Sequence, residues 1–273
     1  MSSGDDNGDT RAKFPARWAP GPSTRSARPA TLRPQRPLHD AAAEARRLQS
    51  PTGMGLDSAG VRARMIQRLR GAGLHSEAVL GAMNLVPRHL FVDPALVAQA
   101  YEDTSLPIGL GQTISKPSVV GRMIEMLMAG PGGQARGHLG RVLEIGTGCG
   151  YQAALLSHLG RQVVSIERLK PLHDKARELL APLRRDNLRL VYGDGRLGHA
   201  PNAPYDAIIA AAGGEALPPT WLEQLAVGGR LVAPMQAEGG RGQVLVVVDR
   251  TPQGWSRQVH EAVNFVPLKS GVA

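Results

Sequence analysis

The chain lacks the features that define several common protein classes. It contains one cysteine, so an internal disulfide framework is excluded, and its eight histidines form no H-x-x-x-H pair and no Cys/His cluster with zinc-ligand spacing. No apolar run reaches the roughly 18 residues that span a bilayer, and no apolar stretch of the kind found in secretory signals follows the N-terminus. We therefore expect no metal, no membrane contact and a cytoplasmic location.

Aromatic residues are also scarce, at 4% of the 273 residues. The hydrophobic content of 42% is still enough for a core, which must then consist of Leu, Val, Ile, Ala and Met. The length leaves room for one large domain, or for one domain with an extension.

The net charge of +9 raises the question of nucleic-acid binding. Residues 1–55 hold nine Lys/Arg against five Asp/Glu, which leaves a modest +5 for residues 56–273. No stripe of Lys/Arg alternates with aromatic residues. The composition therefore does not indicate a nucleic-acid surface, and we do not expect a nucleic-acid partner.

Composition also divides the chain. Residues 1–55 contain seven of the 21 prolines and little apolar periodicity, which predicts a disordered Arg/Pro-rich leader in front of a folded domain over residues 56–273.

From residue 141 onward, short apolar segments alternate with helical patterns, and the last two segments resemble a closing hairpin. This order is typical of an α/β protein with a parallel sheet. The predicted strands are 141–146, 162–167, 188–193, 205–211, 229–234, 243–249 and 256–263, with helices over 151–159, 171–183 and 218–226.

Helical patterns also precede this series. Val61, Met65 and Leu69 share one helical face, and the glycines at 71 and 73 end that helix. Further helices are predicted over 77–85 with Ser76 as N-cap, over 91–101, and over 118–128 with Ser118 as the better N-cap candidate. Between them we expect a loop over 106–117, followed after the last helix by a glycine-rich connector over 131–140.

Three glycines at alternate positions, Gly146, Gly148 and Gly150, follow the strand that begins at Arg141. Glycine lacks a Cβ and tolerates positive φ, so such a turn brings the backbone close to a ligand. The order G-x-G-x-G differs from the G-x-G-x-x-G of dinucleotide sites, and Glu144 precedes the first glycine by two residues. An acid there would repel a pyrophosphate but could help to hold an ammonium group. This favours S-adenosylmethionine, which has an amino-acid end and no phosphate.

Two further strand ends carry acids. Glu167 ends the next strand, at about the distance at which an acid accepts hydrogen bonds from ribose hydroxyls. Asp194 lies between Gly193 and Gly195 on the turn after the third strand, a position suited to the adenine amino group. Three such strand ends in order predict a nucleotide-type site, although ordinary turns of an α/β protein would give parts of the same pattern.

Most of residues 56–273 resemble the protein-L-isoaspartate (D-aspartate) O-methyltransferase family. The most specific segments are Leu106–Gly109, Gly111–Ser115 followed by Pro117, the strand and turn from Val142 to Gln152, and the terminal Phe265–Leu268. The resemblance implies a class I methyltransferase fold: a Rossmann-like, seven-stranded mixed sheet with N-terminal helices. It also implies S-adenosylmethionine-dependent methylation of the α-carboxylate of L-isoaspartyl residues in damaged proteins and peptides, which begins their repair through a succinimide.

The resemblance also assigns residues to roles. It implies that Ser115 is catalytic and contacts the acceptor carboxylate, and that Thr113 and Ile114 shape the same substrate pocket. It places the methionine end of the cofactor at Glu144, Gly146, Gly148 and Gly150, the ribose at Glu167, and the adenine at Asp194 and Gly195.

Two alternatives stay open. The first is an S-adenosylmethionine-dependent methyltransferase of another substrate, such as a small molecule or RNA. The second is a non-catalytic S-adenosylmethionine-binding protein. It is motivated by the basic leader and by Ala210–Gly214, where a threonine and a proline typical of the family are missing.

Overall fold

The computed structural model describes residues 59–273, so the predicted leader over residues 1–55 lies outside the described residues. Within this range the core of the fold is a seven-stranded sheet. The strands are β3 Arg141–Ile145, β4 Gln162–Glu167, β5 Leu188–Tyr192, β6 Tyr205–Ala210, β7 Leu225–Gln236, β8 Gln243–Thr251 and β9 Gly254–Val263. Their spatial order is β5-β4-β3-β6-β7-β8-β9; the first five are parallel to one another, and β8 is antiparallel to both of its neighbours, β7 and β9. The predicted mixed sheet is therefore confirmed.

The α-helices of the described residues cover this sheet. They are α1 Ala59–Gly71, α2 Glu77–Leu85, α3 Pro117–Met128, α4 Pro131–Arg136, α5 Tyr151–Leu159, α6 Lys170–Leu180 and α7 Pro219–Gln224. Met65 and Leu69 face the core from α1, as their spacing predicts. Ser76 caps α2 by accepting a hydrogen bond from the Val79 N–H at 3.4 Å. None of the helices over residues 59–273 is long and apolar enough to cross a membrane.

Alternate side chains of the central strands build two cores. Val142 and Val163 belong to the core that includes residues of α1, α2, α3, α5 and α6, whereas Leu143 and Val164 belong to the core on the opposite face, with the fully buried Trp221 of α7. Successive residues of a strand point to opposite faces, so one register of strands supplies both cores. The register also places Ile145 beside Ile166 and Ala210, so the carboxyl ends of β3, β4 and β6 meet at one edge of the sheet.

The start of α3 corrects one prediction. The helix begins at Pro117, and its N-cap is Lys116, which makes no side-chain capping bond. Proline is favoured at the first helical position because its φ is already helical and its missing N–H would have no partner there. Ser118, the predicted cap, instead donates to Asp103 through its backbone N–H at 2.8 Å and its hydroxyl at 2.7 Å.

Three other segments differ from the predictions. The predicted loop over 106–117 contains an antiparallel hairpin, β1 Leu106–Gly109 with β2 Gln112–Ile114, and its turn holds Gly109, Leu110 and Gly111 at positive φ. The predicted connector over 131–140 contains α4. The predicted helix over 91–101 is a shorter 3-10 turn, Pro94–Gln99, capped by the Asp93 side chain. All three segments are short, which leaves too few residues for a clear periodicity.

Candidate functional site

The glycine turn forms one wall of a cavity at the carboxyl edge of the sheet. Gly146, Gly148 and Gly150 have φ values of 90°, 57° and 92°, in the left-handed region that side chains disfavour. A Cβ on Gly148 would also lie 3.2 Å from Ile108 Cδ1 of the hairpin. Gly146 and Gly148 line the cavity, while Gly150 precedes α5 and does not. The turn thus needs glycine both for its backbone angles and for its close approach to the hairpin.

Glu167 lies at the end of β4 and lines the same cavity. One of its carboxylate oxygens accepts a hydrogen bond from the Gly148 N–H at 2.9 Å, and the other accepts one from the Leu169 N–H at 2.9 Å. The carboxylate therefore fixes the glycine turn against the neighbouring strand. Only 5% of the residue is exposed, so its orientation is set by these two bonds.

Glu144 lies beneath the turn and does not line the cavity. It faces Ser165 of β4, whose hydroxyl donates to Oε2 at 2.5 Å, and that hydroxyl also lies 2.6 Å from the hydroxyl of Thr147. Complete burial raises the pKa of Glu144 to about 8, against the opposing effect of the Ser165 hydrogen bond. At neutral pH the side chain is therefore mainly a neutral acid. Its connection to the cavity is indirect: it binds Ser165, and Ser165 contacts Thr147, which lines the cavity.

The hairpin and the residue that follows it supply a second wall of the cavity. Thr113, Ile114 and Ser115 all line the cavity, about thirty residues before the glycine turn in sequence. Strand pairing places Thr113 beside Pro107 and Ile114 beside Leu106, which orients the end of the hairpin. The structure thus brings the three residues predicted for the acceptor together with Gly146, Gly148 and Glu167.

Asp194 stands outside the cavity lining, although its neighbour Gly195 is part of it. One oxygen of Asp194 accepts from the Arg196 N–H at 2.9 Å, and the other accepts from the Gly271 N–H at 2.6 Å. The carboxylate therefore joins the turn after β5 to the end of the chain. Of the predicted site residues, the cavity lining includes Thr113, Ile114, Ser115, Gly146, Gly148, Glu167 and Gly195, but not Glu144, Gly150 or Asp194.

A segment near the end of the chain is the main part of the site to which the sequence assigned no role. Val266, Pro267, Leu268 and Lys269 line the cavity. The Gly213 N–H donates to Val266 O and the Leu268 N–H donates to Gly213 O, each at 2.8 Å. The altered strand end Ala210–Gly214 is therefore where this segment is anchored. Its motif Phe265–Leu268 is visible in the sequence, but nothing local reveals which strand end it pairs with.

The remaining lining combines apolar and polar groups. Ile145, Ile166, Val120 and Leu169 provide apolar surface, while the buried Gln152 is polar and also interacts with the carboxyl group of Glu144. Burial raises the pKa of Cys149, also in the lining, to about 11, so this thiol is not a nucleophile at neutral pH. Within residues 59–273 no three His, Cys, Asp or Glu side chains gather as a metal site would require. The cavity thus suits an organic ligand with both apolar and polar parts.

Comparison with known proteins gives consistent results. Residues 61–273 match the sequence profile described as protein-L-isoaspartate(D-aspartate) O-methyltransferase. A protein named protein-L-isoaspartate O-methyltransferase from Methylibium petroleiphilum is 64% identical over 261 residues, which cover 95% of this chain and 96% of the relative. One from Leptothrix cholodnii is 65% identical over 246 residues, covering 90% and 86%.

Solved structures agree with the sequence matches. A structure named protein-L-isoaspartate O-methyltransferase superimposes with a TM-score of 0.68 at 27% identity, over 77% of this chain and 67% of the other. A Plasmodium falciparum protein described under the same name, in complex with S-adenosyl-L-homocysteine, gives a TM-score of 0.65 at 23% identity, over 76% of this chain and 97% of the other. The second likeness concerns the fold alone.

Proposed function

Because the chain belongs to the protein-L-isoaspartate(D-aspartate) O-methyltransferase family, we propose that its cavity methylates the α-carboxylate of L-isoaspartyl residues in damaged proteins and peptides, with Ser115 at the acceptor. The main support for this proposal is that the hairpin segment and the glycine turn line one cavity. Ser115 and Thr113 of the hairpin segment face the same cavity as Gly146, Gly148 and Glu167. An acceptor group and a methyl donor could therefore be held side by side. As part of the same proposal, we place the activity in the cytoplasm, without a nucleic-acid or membrane partner.

The donor in this proposal is S-adenosylmethionine, the methylated form of the S-adenosyl-L-homocysteine bound by the Plasmodium falciparum protein. Its sulfonium would supply an electrophilic methyl group. In this proposal the glycine turn, which brings the backbone to the cavity without side chains, would meet the methionine end, and the amide of Gln152 in the lining could donate to its carboxylate. Glu167 and Gly195 also line the cavity, and in this proposal Glu167 would accept hydrogen bonds from the ribose hydroxyls and Gly195 would contact the adenine.

The acceptor needs little proton transfer. A carboxylic acid with an ordinary pKa near 4 is already ionised at pH 7, so no general base is required. The hydroxyl of Ser115 can donate a hydrogen bond to one carboxylate oxygen and leave the other directed at the donor. Alignment of this kind contributes up to roughly 7–11 kcal/mol of barrier reduction in well-oriented model reactions. The apolar side chains Ile114 and Val120 would exclude water from the reacting pair.

Methylation of RNA or of a small molecule, and cofactor binding without catalysis, remain the competing functions. One experiment separates them: the protein is incubated with labelled S-adenosylmethionine and an isoaspartyl peptide, with the matching aspartyl peptide and RNA as parallel acceptors. We expect base-labile label in the isoaspartyl peptide only, because the product is a carboxyl methyl ester. Label in RNA alone would refute the proposal. Absence of label in every acceptor, together with cofactor binding measured by calorimetry, would indicate the non-catalytic function.

A further inference from the structure

Arg88 is a fully buried cation close to the proposed acceptor segment. It follows α2 and has an exposed fraction of 0%, yet it forms no ion pair with any carboxylate of the described residues. Its guanidinium contacts backbone carbonyls instead: Nε donates to Ala100 O at 2.8 Å, and Nη2 donates to Ser115 O at 2.8 Å. Nη2 also donates to Thr104 O at 3.5 Å, and the guanidinium interacts with the side chain of Tyr151.

Burying the Arg88 cation in this way costs free energy of folding. Burial lowers the pKa of Arg88, because an ionised group that leaves water loses its hydration. Carbonyl oxygens offset only part of that loss, and a buried charge without an ionic partner is weak support for stability. An apolar side chain would fill the same space without this cost. A reason for the presence of a cation here must therefore be sought in the groups that the Arg88 side chain binds.

The groups that it holds lie on both walls of the cavity. Ser115 stands in the link between the end of β2 and the start of α3. On the other side, the guanidinium carbon lies 4.8 Å from the ring centroid of Tyr151, the first residue of α5 after the glycine turn. Both Ser115 and Tyr151 line the cavity. One rigid, planar group thus bridges the acceptor segment and the turn predicted for the cofactor.

We propose that Arg88 is a positioning residue, which fixes the backbone of Ser115 so that its hydroxyl meets the acceptor carboxylate. The inference rests on the proposed function of Ser115. Lysine would keep the positive charge but not the fork that spans Ala100 and Ser115, since its ammonium is a single point of attachment. Misplacement of a reacting group by about 1 Å can reduce a rate by about 100-fold.

The test is a double-mutant cycle with Arg88→Lys and Ser115→Ala, in which kcat and KM for an isoaspartyl peptide and the Kd of S-adenosylmethionine are measured. Ser115→Ala removes the hydroxyl but keeps the carbonyl that Arg88 binds. We expect Arg88→Lys alone to reduce kcat/KM by about 10- to 100-fold, mainly through kcat, with a much smaller change in cofactor Kd. In the Ser115→Ala background, the same change should cause little further loss, because there is no hydroxyl left to position.

Arg230 offers a matched control. It is another largely buried arginine that binds a backbone carbonyl, Met126 O at 2.9 Å, in addition to its ion pair with Asp249, and it does not line the cavity. Arg230→Lys should lower the melting temperature yet leave kcat/KM nearly unchanged in an assay well below that temperature. Arg88→Gln, run in parallel, serves as a second variant should the lysine variant fold poorly.

The outcomes separate the two proposals. Losses from Arg88→Lys and Ser115→Ala that simply multiply would overturn the positioning role while leaving the function of Ser115 intact. Turnover at the wild-type level in Arg88→Lys or Arg88→Gln would overturn it as well. If Ser115→Ala alone leaves turnover unchanged, the proposed function of that serine is wrong, and the inference about Arg88 fails with it.

Discussion

The buried acid beneath the glycine turn predicts a specific dependence of stability on pH. Glu144 has an ordinary pKa of 4.5 when exposed, and burial in the folded protein raises it to about 8. Between these two values the folded protein holds a proton that the unfolded chain has released. The contribution of this group to the free energy of unfolding is therefore fully present below pH 4.5, declines as the pH rises, and is lost above about pH 8.

The two pKa values set an upper limit on the contribution of Glu144 to the free energy of unfolding. Each pH unit between the two pKa values corresponds to about 1.4 kcal/mol, so the difference gives an upper limit of about 5 kcal/mol. Relaxation of the buried site would reduce it to a few kcal/mol. Glu144→Gln should abolish the dependence, because the amide has the shape of the protonated acid and no ionisable group. The variant should match the wild type near pH 5 and be more stable than it near pH 9.

The measurement is urea denaturation of both proteins, without cofactor, at several values from pH 5 to pH 9. His158 and His199, whose pKa partial desolvation lowers, are shared by both proteins, so their contributions cancel in the difference. Glu178→Gln, at an exposed position of α6, is the matched control and should follow the wild type at every pH. A difference between wild type and Glu144→Gln that stays constant from pH 5 to pH 9 would show that Glu144 holds no extra proton in the folded protein.

Three further changes test the two walls of the cavity. Ser115→Ala should reduce kcat for an isoaspartyl peptide while the Kd of S-adenosylmethionine stays nearly constant; a collapse of cofactor binding in calorimetry would place the serine elsewhere. Glu167→Ala should have the reverse effect and weaken cofactor binding by about 10- to 100-fold, as expected for loss of charged hydrogen bonds, and unchanged binding would exclude a ribose contact. Gly148→Ala should lower stability by about 1–2 kcal/mol through its positive φ, checked by denaturation, and should weaken cofactor binding as well.

The sequence predicts the parallel part of the fold well because the signal there is local. The predicted helix over 151–159 and the strand over 162–167 coincide with α5 and β4. Each is mainly apolar and is bounded by glycine or a charged residue. The carboxyl ends of adjacent parallel strands must meet at one edge, so the pattern alone also places Glu167 near the glycine turn.

Other parts of the site depend on contacts that no local pattern contains. Because side chains alternate along a strand, the sequence shows that Glu144 lies on the opposite face of the sheet from Leu143 and Ile145. It does not show whether that face contacts a ligand or the core. The hairpin, with only seven residues in its two strands, is too short for a period to be recognised. Arg88 and the segment from Val266 to Lys269 reach the site through tertiary packing, across long separations in sequence. Only the family resemblance indicates the acceptor role of Ser115.

The acids of the site have structural partners already, and this bears on how they could also bind a ligand. Both oxygens of Glu167 accept backbone N–H groups, from Gly148 and Leu169. A carboxylate offers about four acceptor positions, so two remain for ribose hydroxyls. The same bonds hold the carboxylate in place before any ligand arrives, which spares the ordering cost that a free side chain would incur on binding. Glu167→Gln should therefore lose more than a ligand contact: an amide presents only one acceptor oxygen, so one of the two backbone N–H groups would lose its partner and the glycine turn would loosen along with the cofactor.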